Sequence, residues 1–275
     1  MTSLHYARPE ARDGLARVIG PGNSPARLLS LHTLRLGPDT PEVMLDTGER
    51  EWVVDALGGR ASFVVRAGSD ETAFVNVGGR ERPLDGPPAM AYLPRDARVT
   101  IDAGGRPFDA LAFSAPATSR HRAAVVPPDV AVVRTVGLDN WQRRVTTSIG
   151  PDVEADRLLV GETVNPPGNW SSVPSHKHDR DAGDERAMEE IYCYRLDPPQ
   201  GFALQRVYTA PDDTEPFDVC YTVRDGDAVV LPRGYHPVVA APGYRLLYVW
   251  ALAGDDRAYG AWSDDPAHAW IRQSK

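Results

Sequence analysis

Apolar and polar residues alternate in short runs along the chain, and glycines and prolines punctuate those runs at short intervals. A period of two places alternate side chains on one face of a strand. The pattern predicts strands over Ala61–Val65, Ala73–Val77, Val99–Asp102, Asp109–Phe113, Glu190–Arg195, Ala203–Tyr208, Ala228–Leu231 and Arg245–Ala251. Few long stretches of helical period compete with them, so the expected class is all-β.

The pattern also recurs. Leu93-Pro94-Arg95 returns as Leu231-Pro232-Arg233, an offset of 138 positions. Glu51-Trp52-Val53-Val54 with Leu57 resembles Glu190-Ile191-Tyr192-Cys193 with Leu196, and Phe108–Phe113 resembles Tyr244–Val249. Three matches in the same order point to a duplicated unit. Pro127-Pro128 interrupts the strand pattern and divides the chain into residues 1–127 and 128–275.

Composition narrows the class. The 275 residues are 42% hydrophobic and 25% charged, enough for two packed domains. The N-terminus lacks the apolar core of a signal peptide, and no run approaches the roughly 20 apolar residues of a membrane span, so the expected setting is cytoplasmic. A net charge of −8 without a basic cluster argues against nucleic acid. Lys177 and Lys275 are the only lysines, which disfavours Schiff-base chemistry. Cys193 and Cys220 lie in strand-like runs and read as unpaired, buried residues.

Against this background the histidines stand out. His176 and His178 would share one face of a strand while Lys177 points away. In a chain with seven histidines such a pair carries little weight by itself. Glu190 would share a face with Tyr192 and Tyr194, and His236 follows the strand Ala228–Leu231 and a Pro-Arg-Gly turn. Folded into a small barrel, His176, His178, Glu190 and His236 would converge as a metal site. Glu185 and Glu189 are rival carboxylates, although Glu189 should face away from Glu190. The donor set suits zinc first, with manganese, iron and nickel sharing its preferences.

Longer motifs surround these residues. They include Gly168-Asn169-Trp170-Ser171-Ser172, His176-Lys177-His178-Asp179, Glu189-Glu190-Ile191-Tyr192, Arg233-Gly234-Tyr235-His236-Pro237-Val238 and Asp265-Pro266-Ala267-His268-Ala269-Trp270-Ile271. Over these the chain resembles the 5-deoxy-glucuronate isomerases of bacterial myo-inositol catabolism, relatives of the ketouronate isomerase of pectin breakdown. The resemblance is dense from about Asn140 onward. It implies a two-domain bicupin of tandem double-stranded β-helix (jelly-roll) barrels, with metal ligands at His176, His178, Glu190 and His236. Cys193, Val173 and Ser175 depart from the family's usual residues.

In the first unit, Arg98 falls opposite His236, no histidine stands near Pro38 or Thr40, and Glu51 is aligned with Glu190. That unit is therefore expected to have lost its metal site and to serve as a scaffold or in self-association as a homo-oligomer. The implied reaction converts 5-deoxy-D-glucuronate to 2-deoxy-5-keto-D-gluconate, by an enediol or a hydride shift. Tyr192, Tyr208 and Tyr235 are the catalytic candidates, with Tyr194 and Glu189 as further bases. Arg206 and Arg233 are candidates for the substrate carboxylate. An iron-dependent cupin dioxygenase and a non-catalytic sugar-acid-binding cupin are the alternative readings.

Overall fold

The computed structural model describes residues 3–10 and 12–273. Among them every long element is a strand, joined by three short 3₁₀ turns, and no helix is long and apolar enough to cross a membrane. All eight expected strands form, several of them extended at their ends. Arg50–Ala67 is the largest departure, an 18-residue strand of which the pattern flagged only the second half.

Two antiparallel systems result, which is the bicupin plan. In the first, the order is Ala124–Val126, Ala89–Leu93, Arg50–Ala67, Phe108–Pro116, Ser30–Leu36 and Gly14–Ile19. Arg50–Ala67 bends at Gly58-Gly59 and continues into a second layer against Arg98–Asp102 and Asp70–Gly78. Gly59 has φ of +81°, and a Cβ there would sit 2.2 Å from the Pro107 carbonyl oxygen. Only glycine fits such a bend. In the second system, His5–Tyr6, Ala228–Leu231, Glu189–Asp197, Arg245–Ala253, Leu158–Asn165, Arg143–Ile149 and Val132–Val136 lie side by side. A four-stranded sheet containing Ala203–Tyr208 and Val238–Ala240 completes it.

The repeat is visible in the hydrogen-bond register. Glu190 pairs with Leu231 and Leu252, as Trp52 pairs with Leu93 and Ser114, each partner 138 positions earlier. The counterpart of Glu190 is thus Trp52, and Glu51 matches Glu189, one residue from the alignment read off the sequence. The slip reverses faces, because neighbouring strand residues point in opposite directions.

The first half lends a strand to the second, His5–Tyr6 pairing with Ala228–Leu231. Two carboxylates cross the junction, one in each direction. Glu51 accepts backbone N–H bonds from Asp156, Arg157 and Leu158, all at 2.7 Å, and the Tyr92 hydroxyl at 2.9 Å. Glu189 accepts from Arg27 at 2.8 Å, from Leu28 at 2.7 Å, and from Leu29.

Both faces of the central strands are buried. Val53, Leu57, Ile191 and Cys193 pack in a core shared between the halves, whereas Trp52 and Val54 fill the first barrel and Tyr192 and Tyr194 the second. A strand covered on both sides reads as a continuous apolar run, which is why these segments alternate so weakly. Cys193 is buried as expected, but Cys220 is exposed because its strand, Asp218–Val223, edges the outer sheet. The cysteines are unpaired.

Candidate metal centre

The His-Lys-His segment enters as a two-residue strand, His176–Lys177, with His176 opposite Asp264. Alternation turns Lys177 away from the barrel interior, where its Nζ bonds Glu185 at 2.8 Å and also contacts Asp179. The other Asp179 oxygen accepts the Gly234 N–H at 2.8 Å. The segment bearing the first histidines is thereby tied to the turn bearing His236, a long-range link that alternation along the chain does not predict.

His178, Glu190 and His236 are buried and bring one donor atom each within 4.8 Å of one another. Glu190 Oε2 lies 3.2 Å from His178 Nε2 and 3.4 Å from His236 Nε2. His178 Nδ1 is 2.7 Å from the Met188 carbonyl, and His236 Nδ1 is 2.9 Å from the Gly234 carbonyl. A carbonyl only accepts, so each Nδ1 carries a hydrogen and, in the neutral ring, each Nε2 keeps its lone pair on the side facing Glu190. His236 Nε2 is buried without a hydrogen-bond partner; its approach to Glu190 has the distance of an ion pair but not the geometry of a hydrogen bond. Two lone pairs converging on a carboxylate oxygen fit a cation.

His176 stands slightly apart. Its ring centroid is 4.9 Å from that of His236 and 6.4 Å from that of His178, and it stacks on Trp262 at 5.0 Å. Burial, then the nearby His178 and Arg143, lowers its pKa to about 3. Burial and the two neighbouring imidazoles also hold His236 well below the ordinary histidine value. His178 is raised instead: burial, the largest single influence, works against its charge, but the hydrogen bond and charge of Glu190 together with backbone carbonyls outweigh it. Burial raises Glu190, with His178 opposing.

His176, His178 and Glu190 line a cavity of about 220 Å³, with Ser172, Tyr192, Tyr248, Trp250, Arg143 and Arg272 among its other walls. The Tyr192 hydroxyl lies 3.2 Å from Ser172 Oγ, and Tyr248 bonds Ser171 at 2.5 Å. A smaller cavity of about 40 Å³, beneath the N-terminal segment, is lined by Arg8, Arg35, Cys193 and Arg195 and holds none of the histidines.

Several sequence candidates fall elsewhere. Tyr194 points deeper into the barrel and bonds Gln205 at 2.8 Å. Tyr208 bonds Asp265 at 2.7 Å and packs on Tyr235, both lining an outer groove rather than the histidine cavity. Arg206 forms a two-point pair with Asp218 at 2.9 and 2.7 Å and stacks 3.9 Å over Tyr208. Arg233 pairs with Asp213 at 2.7 Å. Neither arginine lines the cavity, because each is held by a carboxylate outside it. Glu189 serves the junction between the halves, not the site.

Arg143, Arg272, Tyr248 and Trp262 were missed. Only Arg143 left a trace in the sequence, at the head of a strand where it shares a face with Val145. In the first barrel Trp52 occupies the position of Glu190, packed against His32 with ring centroids 4.6 Å apart.

A family model described as the KduI/IolB family matches residues 5–271. The chain is 38% identical over 190 residues to a protein of Geobacillus kaustophilus named 5-deoxy-glucuronate isomerase, covering 69% of this chain and 67% of that one. A Bacillus subtilis protein of the same name is 36% identical over 205 residues, covering 73% of each. The crystal structure of an IolB-like protein from Salmonella typhimurium superposes with a TM-score of 0.89 at 30% identity, over 98% of this chain and 100% of that one. Oxalate decarboxylase from Lactobacillus farciminis shares the fold, with a TM-score of 0.66 at 11% identity, over 100% of this chain and 91% of that one.

Proposed function

The chain belongs to the KduI/IolB family, and from that membership we propose that it isomerises 5-deoxy-D-glucuronate to 2-deoxy-5-keto-D-gluconate. The observation that carries the reading is the buried His178, Glu190 and His236 cluster, of which His178 and Glu190 line a cavity, in a chain whose relatives bear that enzyme's name.

His178, Glu190 and His236 would hold a divalent ion, with His176 as the fourth donor. Imidazole and carboxylate donors favour zinc, and manganese, iron or nickel share the preference. When bound, the ion supplies Lewis-acid polarisation of the sugar carbonyl and offsets negative charge developing on oxygen. The Met188 and Gly234 carbonyls orient the two imidazoles. Among the three tyrosines singled out from the sequence, Tyr192 alone lines the cavity, so hydrogen bonding to a substrate oxygen, and proton transfer in an enediol route, falls to it. A hydride shift needs no base. Trp250, Leu252 and Trp262 provide apolar walls that limit water around the reacting carbons.

Residues 128–275 are the catalytic unit in this reading, and 1–127 a cupin used as scaffold. Trp52 in the place of Glu190 supports that division, because an indole supplies no carboxylate donor.

Metal analysis combined with a ketose-formation assay tests the proposal. Chelation should abolish turnover and zinc should restore it, while His178→Ala should lose both bound metal and more than about 100-fold of the activity. Full activity in His178→Ala would overturn the site. Oxygen uptake with substrate would overturn the isomerase reading in favour of an oxygenase.

A further inference from the structure

Arg143 is the cation of the cavity wall that the fold leaves without a counter-charge, and we propose that it binds the carboxylate of the substrate. This rests on the isomerase reading, in which a sugar acid must bring its own negative charge into a partly enclosed site. A carboxylate withdrawn from water without a partner is strongly disfavoured, so the cavity has to supply one.

Two cationic side chains other than the histidines line the cavity, Arg143 and Arg272. Arg272 is already committed: its Nε and Nη2 both bond the carboxylate of Asp264, the residue opposite His176 in the strand pair. Arg143 is not. Among the described residues its one hydrogen bond runs from Nη1 to the Trp141 carbonyl at 3.2 Å, and it forms no ion pair with any carboxylate. A guanidinium has five N–H donors in a planar fork, so most of those on Arg143 remain for a ligand. Lys177 is excluded by alternation, facing Glu185 on the far side of its strand.

The surroundings sharpen the interaction. Arg143 begins the strand Arg143–Ile149, with Val145 on the same face and Val136 directly opposite in register. Both valines line the cavity, and the Trp141 ring lies with its centroid 5.8 Å from the guanidinium carbon. Apolar neighbours lower the local dielectric and strengthen a charge pair formed there. The ligand's carboxylate sits at this wall and its carbonyl end at the histidine cluster, so one molecule spans both.

The test compares 5-deoxy-glucuronate with its neutral analogue, 5-deoxy-glucose, in which a hydroxymethyl group replaces the carboxylate. Binding of both is measured calorimetrically to the metal-free protein, and turnover of the uronate is measured on the zinc-loaded enzyme. Wild type should bind the uronate more tightly than the neutral analogue. Arg143→Gln should weaken uronate binding by roughly 10- to 100-fold and leave the analogue's binding unchanged, the effect expected for a charge-assisted hydrogen-bonded pair. On the loaded enzyme the loss should appear mainly in KM, and Arg143→Lys should recover part of it. Equal discrimination in wild type and Arg143→Gln overturns the assignment, as does a loss of discrimination in Arg272→Gln instead. Failure of wild type to isomerise the uronate would sink the isomerase reading separately, while carboxylate-dependent binding lost in Arg143→Gln would still support Arg143.

Discussion

Replacing Glu51 by glutamine should destabilise the whole molecule, because this carboxylate joins the two halves. Its Oε1 accepts the N–H groups of Arg157 and Leu158, and Oε2 accepts the N–H of Asp156 and the hydroxyl of Tyr92. Four donors meet two oxygens, and both oxygens act only as acceptors. A glutamine keeps one oxygen, which can stay on Arg157 and Leu158, and presents an amide NH₂ to the Asp156 N–H. The Tyr92 hydroxyl can rotate to accept, but the Asp156 N–H cannot. One stranded donor costs about 1–3 kcal/mol, and the two retained bonds lose roughly 1 kcal/mol each with the charge. The sum is about 3–5 kcal/mol, or a fall in Tm of roughly 6–20 °C for a chain of this size. Urea titration and calorimetry would measure it. Glu189→Gln should cost about half as much, since the Arg27 N–H it holds is exposed and water can replace that bond. Its kcat should be unchanged, which separates a structural carboxylate from the general base considered from sequence. A Glu51→Gln protein within about 0.5 kcal/mol of wild type would refute the reasoning, because surface substitutions reach only that range.

Two further outcomes are expected. Tyr192→Phe removes the cavity hydroxyl beside Ser172 and should lower kcat by about 100-fold or more while metal content stays at the wild-type level; wild-type kcat would remove Tyr192 from the chemistry. Burial holds the His32 pKa at about 4, against the ordinary histidine value of 6.5. The unfolded chain therefore takes up a proton first as pH falls, so the stability contributed by neutral His32 is complete above about pH 6.5 and lost toward pH 4, about 3 kcal/mol in all. Metal-free His32→Phe should show that much less acid destabilisation in urea titrations across this window, and an identical pH profile would contradict it.

The class of fold and the outline of the candidate site rest on local patterns, and both were legible in the sequence. Short apolar or alternating runs bounded by glycine and proline are enough to predict Ala203–Tyr208 and Ala228–Leu231 to the residue, and a period of two turns His176 and His178 to one face with Lys177 on the other. It also placed Glu190 on the same face as Tyr192. Partner choice is not local, and there the tertiary structure decided. Whether Arg206 or Arg143 faces the cavity depends on which sheet and which neighbouring acid each meets: Asp218, diagonal to Arg206 on the neighbouring strand, holds it, while among the described residues Arg143 pairs with no carboxylate. The three catalytic tyrosine candidates were equivalent in the sequence, and only the bend of the barrel separates Tyr192 from Tyr208 and Tyr235. The roles of Glu51 and Glu189 depend on backbone N–H groups that the opposite half brings to them, which no alternation pattern encodes. A one-residue slip in the sequence repeat assigned Glu51 to the place of Trp52, and the hydrogen-bond register corrected it, since in a strand one residue is the difference between a barrel interior and the junction between barrels.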